Sequence, residues 1–363
     1  MGDENEIDGW ADIHRDILKE IAKRFYSYDD FIQLGLVCKQ WNLKLAEISK
    51  EILWLLLPEE SSSTHVYEDE EIYHLMQLPV AEEVPLEIIN KSLEENRIHH
   101  MRLPEMQNTL IRGSYHGWIV ILDIYQGSIY MLNVFTRLRV DLPPVTVDSC
   151  PSSDNQDFMA VVIYGSGCNL AYYKPSNKRW LEFPIRKPSF HDVIFFGDKI
   201  YAIEERGQLY EFDTTTKSGP VGGIHEAKPP SDVEVGSYQL KYLVGCANGS
   251  LLMLVRCFCS RRPIRTSKFD IYELNKNTKE WSKIDNLKNS VLMIGLNSSV
   301  RMLPTSIQSK GSQIYFTDNY IELKPINEAA PQDIGIFNLY DRKRQRLLSR
   351  VKFICPPVWC YSS

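Results

Sequence analysis

The sequence is poor in the features that mark several large protein classes. Its 363 residues contain no apolar run near the roughly 18 residues that a membrane span needs, so no membrane association is expected. The opening MGDENEID is acidic where a secretory leader is basic and then apolar, which places the expected location in the cytoplasm, the nucleus or both. Only Cys257 and Cys259 lie close together among 8 scattered cysteines. A disulfide scaffold is short and cysteine-dense, so these read as reduced thiols. Positive charge is also in deficit: 41 Lys and Arg against 47 Asp and Glu leave a formal net charge of −6. A dedicated nucleic-acid binder needs clustered cations for phosphate, so no nucleic acid is expected as a partner. Two basic clusters do occur, Arg261, Arg262 and Arg265, and Arg342, Lys343, Arg344 and Arg346. The second falls between strand-like runs and reads as an exposed turn, with a nuclear-import patch as the sharper alternative.

Catalytic signatures are missing as well. There is no H-E-x-x-H, phosphate-binding Gly-Lys-Ser/Thr loop, G-x-S-x-G elbow or G-x-G-x-x-G. Ser114 and His116 flank Tyr115, but no third group orients them, and Gly113 and Gly117 favour a turn. Adjacent His99 and His100 point opposite ways in extended chain, and Cys257-Phe258-Cys259 lacks a second pair at zinc spacing. Asn90, Asn248 and Asn297 open glycosylation-type triplets that read as unmodified without a secretory route. No cofactor and no metal are expected.

What the chain does have begins with a short helical head. Ile13, Ile17, Ile21 and Phe25 recur every fourth residue, and Leu18 and Ala22 widen the stripe. Asp12 is the expected N-cap, and Asp16 and Glu20 suit the positive end of the helix dipole, with a helix end near Phe25. Tyr28, Asp29 and Asp30 then offer a turn and a new cap, and Phe31, Leu34, Val37, Cys38, Trp41, Leu45 and Ile48 continue at spacings of three and four. The stretch LGLVCKQW is apolar on more sides than one small helix can hide. A segment of under about 50 residues without metal or disulfide rarely stabilises itself, so a partner surface is expected.

These residues resemble an F-box. Trp10, Ile13, His14, Asp16, Ile17, Leu18, Ile21, Arg24 and Phe25, then Asp30, Ile32, Val37, Cys38 and Trp41, follow its order and spacing without a gap. His14 departs from it, because the family carries proline at this first turn and proline pre-sets helical φ. The resemblance implies docking onto a Skp-type adaptor that binds a cullin scaffold. It points to Ile13, Ile17, Leu18, Ile21, Val37 and Trp41 as residues that dock or support docking, without separating the two roles.

After a helical domain over 8–57, the acidic, serine-containing PEESSSTHVYEDEE and an irregular stretch read as a linker or bridge over 58–97. From 98 to 363 short Val-, Ile-, Tyr- and Phe-rich runs alternate with turn residues, and no helix-length segment separates them. That excludes a βα-alternating enzyme and predicts an antiparallel all-β domain. Asn133, Lys174, Asp213, Leu274 and Leu339 mark equivalent strand ends at intervals typical of propeller blades, with insertions in the longer ones. The expected fold is therefore a small all-α head plus an all-β domain, a β-propeller of five or six blades, with a pair of β-sandwiches as the alternative. GSYHGW, LNVFTRLRVDLPPV, HDVIFFGDKIYAIEERGQLYEFD, GSQIYFTDNY, DIGIFNLYD and CPPVWC resemble the kelch-like C-terminal domain of a large plant F-box family. The resemblance implies a non-catalytic substrate-recognition subunit of an SCF-type ubiquitin ligase whose propeller recruits an unknown target protein. A propeller enzyme (a hydrolase or lyase) and a non-degradative adaptor-binding scaffold remain as alternatives. Loops at Ser152–Asp157, Thr214–Pro230, Arg261–Lys268 and Asn319–Gln332 are the candidate recognition segments.

Overall fold

Alternating apolar strands need a second apolar face to cover them, and here the face is supplied by neighbouring blades. The computed structural model describes residues 10, 12–22, 33–50, 53–58, 72–78, 98–103, 106, 109–115, 117–123, 125–143, 158–165, 167–185, 189–216, 219–224, 227–233, 238–259, 265–288, 290–295, 299–302, 312–317, 333–347 and 358–360. Two helices, α1 (Arg15–Ala22) and α2 (Lys39–Lys50), precede the strands. The strands then build six sheets among the described residues, and together they form a β-propeller.

The first sheet takes three strands from the start of the chain, β1 (Leu53–Pro58), β2 (Ile72–Leu78) and β3 (Ile98–Arg102). Five consecutive blades follow. They are β4–β7 (Thr109–Tyr115, Trp118–Asp123, Ile129–Asn133, Arg139–Leu142), β8–β10 (Ala160–Tyr164, Asn169–Tyr173, Trp180–Glu182) and β11–β14 (Phe190–Phe196, Lys199–Glu204, Leu209–Asp213, Val221–Ile224). The last two are β15–β18 (Gln239–Gly245, Leu251–Phe258, Thr266–Asn275, Glu280–Ile284) and β19–β23 (Val291–Ile294, Val300–Met302, Gln313–Phe316, Gly335–Asn338, Arg344–Arg346). The final strand, β24 (Val358–Cys360), pairs with β1 and completes the first sheet in the order β24-β1-β2-β3. Joining the two ends of the chain in one sheet removes the open edges that a linear array would leave.

This closure redraws the expected boundaries. The helical segment was expected to run to 57 and a linker to fill 58–97, yet β1 and β2 are strands paired over Leu53–Pro58 and Ile72–Leu78. Local composition does not show that β1 is paired on one side with a strand from the far end of the chain and on the other with β2, which in turn pairs with β3.

All five repeat points fall on or next to the end of a blade's penultimate strand, where the chain turns outward: Asn133, Lys174, Asp213, Leu274 and Leu339. The turn chemistry repeats with them. Asn133 Oδ1 accepts from Phe135 N–H at 3.1 Å and Thr136 N–H at 3.0 Å, and Asn275 Oδ1 accepts from Asn277 and Thr278 N–H at 2.9 and 3.1 Å. Four or five residues past the strand end a basic residue takes the left-handed conformation: Arg137 (φ 61°), Lys178 (φ 56°), Lys279 (φ 56°) and Arg342 (φ 57°). Aspartate and asparagine favour such turns because their side chains replace backbone acceptors.

The hydrophobic clusters lie between neighbouring blades. Leu170, Phe183, Ile200 and Phe212 fill one layer, Ile203, Leu243, Met253 and Tyr272 the next, and Leu254, Phe269, Phe316 and Phe337 a third. A buried guanidinium crosses the last of these seams. Arg256, on β16 and fully buried, donates to Asp333 Oδ2 at 3.1 Å and to the Thr317 carbonyl at 2.7 Å, and lies over the Phe258 and Phe316 rings at 5.0 and 4.8 Å.

Candidate functional site

The head is built from two short amphipathic helices whose apolar faces divide between the interior and solvent. Helix α1 begins at Arg15, so the expected Asp12 cap gives way to His14. His14 Nδ1 accepts from Asp16 N–H at 3.3 Å, and its carbonyl accepts from Ile17 and Leu18 N–H at 3.0 and 3.1 Å. The ring nitrogen thus takes up an orphan donor that proline would not have satisfied. Asp12 instead accepts from Lys44 Nζ at 3.1 Å, and the same ammonium reaches the Ile13 carbonyl at 2.9 Å, tying α1 to α2. The expected helix end near Phe25 and the cap at Tyr28–Asp30 lie outside the described residues.

The buried face of the head is not the stripe read from the fourfold spacing. Leu18 and Ala22 are buried on α1, and Trp41, Leu45 and Ile48 on α2, while Ile13 and Ile21 pack partly buried at their edge. These side chains share one cluster with Leu56, Leu103, Met106, Ile111 and Val358, so the head is seated on the propeller where its two ends meet. Ile17 is 54% exposed and Val37 61% exposed, and Trp10, Leu36 and Leu43 stand out beside them at 72%, 67% and 59%. Trp41 Nε1 donates to the Trp10 carbonyl at 2.7 Å, so a buried tryptophan holds the backbone from which an exposed one projects. Of the six residues named from sequence, Leu18 and Trp41 support the head from inside, Ile13 and Ile21 border it, and Ile17 and Val37 face solvent. The additional exposed residues had a readable signal, because Leu36 and Leu43 are apolar positions off the Leu34, Trp41, Leu45 stripe.

The pairs weighed for chemistry have structural partners. Ser114 Oγ donates to the Trp359 carbonyl at 2.6 Å, stitching β4 to the closing strand, and His116 lies outside the described residues. Cys259 Sγ accepts from Arg265 N–H at 3.3 Å, and Cys257 is buried. The side chains of His99 and His100 lie outside those described. Among the described residues no group of three or more His, Cys, Asp or Glu could hold a metal ion, and no helix is long and apolar enough to cross a membrane.

An acid and a base with shifted pKa values, Asp192 and His191, lie at a seam between inner strands. A bulge between Phe190 and Asp192 re-aims β11 so that His191 Nδ1 accepts from Lys241 N–H at 3.3 Å and Asp192 Oδ2 from Leu243 N–H at 2.8 Å. Burial pushes the Asp192 carboxyl up to about 7 against the pull of its two backbone donors, Leu243 and Val193. Burial and the charge of Lys241 bring His191 down to about 4. Both side chains accept from β15, on the neighbouring blade.

The basic cluster at Arg342–Arg346 is likewise engaged. Arg342 donates to the Phe269 carbonyl and to Asp285, both at 3.1 Å, and Arg344 donates to Asp333 at 3.0 Å. Of the expected recognition loops, Ser152–Asp157 and Asn319–Gln332 lie outside the described residues, Thr214–Pro230 contains the strand β14, and Arg261–Lys268 runs into β17 at Thr266.

A family model, the KIB1-4 beta-propeller, matches residues 91–338, more than half of the chain. The chain belongs to the KIB1-4 β-propeller family. Curated relatives of this KIB1-4 propeller carry F-box names. The F-box/kelch-repeat protein KIB1 of Arabidopsis thaliana is 24% identical over 204 residues, 52% of this chain and 50% of that protein. The F-box protein SKIP23 of the same plant is 22% identical over 222 residues, 56% of this chain and 54% of that protein. This chain thus spans about half the length of these relatives in the matched region. Among solved structures, the N-terminal domain of Nup159 covers 79% of this chain and 73% of its own at a TM-score of 0.34 and 8% identity, a likeness too low to bear on function.

Proposed function

We propose that this chain is the substrate-recognition subunit of a Skp–cullin–F-box ubiquitin ligase. Its F-box head docks on a Skp-type adaptor that binds the cullin scaffold, and its propeller recruits a target protein. Ubiquitin transfer takes place on other subunits, and the chain contributes by raising the target's effective concentration there. On this reading it works in the cytoplasm, the nucleus or both.

The observation that carries the reading is the divided head. Leu18, Trp41, Leu45 and Ile48 anchor it to the propeller core, while Trp10, Ile17, Leu36, Val37 and Leu43 remain exposed in a motif matching the F-box. Removing one large apolar side chain from water contributes roughly 1.5–3 kcal/mol, so several such residues on a small head favour a partner over solvent.

Copurification of the full chain with a Skp-type adaptor tests the first half. Binding lost in Ile17→Asp/Val37→Asp supports the reading, and binding unaffected by that pair overturns it. Deleting the head tests the second half: a true receptor's target accumulates in cells, whereas a scaffold's propeller-bound partners keep their abundance.

A further inference from the structure

Asn133, Asn275, Asn286 and Asn338 hold surface turns with the side-chain oxygen, which accepts from backbone N–H groups two or three residues ahead. Asn248 does the same in the turn that joins β15 to β16. Its Oδ1 accepts from Ser250 N–H at 3.2 Å and from Ser250 Oγ–H at 2.8 Å. What differs is the next residue. Val134, Lys276, Leu287 and Leu339 follow the other asparagines, whereas Gly249 follows Asn248, in the only Asn-Gly pair of the sequence.

That difference bears on chemistry. The side-chain amide carbon of an asparagine is open to attack by the backbone nitrogen of the next residue, and that residue's side chain ordinarily crowds the approach. Glycine has no side chain to do so. A Cβ at Gly249 would meet nothing within 4 Å, and Gly249 holds a φ of 82°. The two Ser250 donors stand on the very oxygen that gains negative charge as the nitrogen adds, where fixed donors stabilise a tetrahedral intermediate. One contact opposes the attack, because Gly249 N–H donates to the Cys246 carbonyl at 2.8 Å. Ala247 and Asn248 are exposed, so local fraying of the turn is enough to open that bond.

We propose that Asn248 deamidates spontaneously in the folded chain, ahead of every other described asparagine. The Gly249 nitrogen loses its proton to solvent hydroxide and bonds to Asn248 Cγ. The bond from Cγ to the amide nitrogen breaks, ammonia leaves and a cyclic imide remains. Water then adds to either imide carbonyl, and ring opening gives aspartate or isoaspartate. The sum is water consumed and ammonia released, with no electron transferred.

The two products differ in what they do to the blade. Aspartate keeps the turn, since its carboxylate accepts from both Ser250 donors. Isoaspartate inserts a methylene into the main chain and breaks the bond from Cys246 N–H to the Ser250 carbonyl, 2.9 Å long in the intact turn. Either one places a new negative charge between Ala247 and Gly249, which line the groove between the β11–β14 and β15–β18 blades. The inference stands apart from the receptor role and does not rest on it.

The test stores the full chain in warm, mildly alkaline buffer and follows it by peptide mapping with mass spectrometry, beside the same chain unfolded in urea. The folded chain should gain the amide-to-acid mass change at Asn248 before any gain at Asn133, Asn275, Asn286 or Asn338. Ser250→Ala should slow the folded-state conversion by roughly 3-fold or more and leave the urea sample unaffected, because the hydroxyl acts only in the formed turn. Hydrogen exchange should show Cys246 N–H unprotected in isoaspartate-enriched chain and still protected in Asn248→Asp. An Asn248 that stays intact in the folded chain while the urea sample converts fully overturns the inference. Conversion at Asn133 or Asn275 as fast as at Asn248 overturns it too, as does a Ser250→Ala rate equal to that of the parent.

Discussion

Ile17 and Leu18 are consecutive residues of α1, and the first is 54% exposed while the second is fully buried. Neighbours on a helix are about 100° apart, so one apolar pair serves two surfaces. Ile17→Asp should leave the melting temperature nearly unchanged and abolish adaptor copurification. Leu18→Ala should instead cost about 2–5 kcal/mol of stability through the cavity it leaves beside Trp41. Paired denaturation and copurification measurements separate the two, and equal stability losses would contradict the division.

The Arg256 guanidinium is satisfied by groups from three different parts of the chain, Thr266, Thr317 and Asp333. Asp333→Ala removes the carboxylate from both Arg256 and Arg344. Leaving a buried charge without its partner costs about 3–5 kcal/mol, so urea denaturation should show a loss of that order. A loss under about 1 kcal/mol would mean that water reaches the guanidinium.

Trp359 locks the ring shut. Its indole N–H donates to the Ile294 carbonyl at 3.0 Å, its own carbonyl accepts from Ser114, and its ring meets Tyr315 edge-on at 6.2 Å. Trp359→Ala should cost about 3–5 kcal/mol. Protection from hydrogen exchange should fall first in β1 and β4, the neighbours of the closing strand, and a uniform fall across all blades would argue against a local closure.

Asp192 and His191 give the blade seam opposing pH dependences. Asp192 ionises near 3.8 when unfolded and near 7 when folded. Its stabilising contribution is therefore complete below 3.8 and lost as pH rises to about 7. His191 titrates near 6.5 unfolded and near 4 folded, so its contribution is complete above 6.5 and lost as pH falls to about 4. Asp192→Asn removes only the first dependence. Relative to the parent chain the variant should gain stability steadily between pH 4 and 7, and parallel stability curves would refute the assignment.

Much of this architecture was legible before any coordinates. The five outward turns could be found because Asn133, Asp213 and Asn275 carry their own turn chemistry in side chains that bond within three residues. The head was legible as helix for the same local reason. Less legible was the face of α1 that is covered, since fourfold spacing at Ile13, Ile17 and Ile21 marks an apolar stripe without saying what lies opposite. The segment Thr214–Pro230 carries turn-like residues and reads as a loop, and the register of Val221–Ile224 against Tyr210–Asp213 makes part of it the strand β14.

The amino-acid order by itself determined the period of strands and turns, the amphipathic head and the absence of the common catalytic signatures, because each depends on residues a few positions apart. The tertiary structure alone decided that residues 53–58 meet 358–360, that Arg256 reaches Asp333 77 positions away, and that Leu18 rather than Ile17 is covered. Those outcomes depend on which distant surfaces fit together, and local pattern carries no information about the far side of a contact.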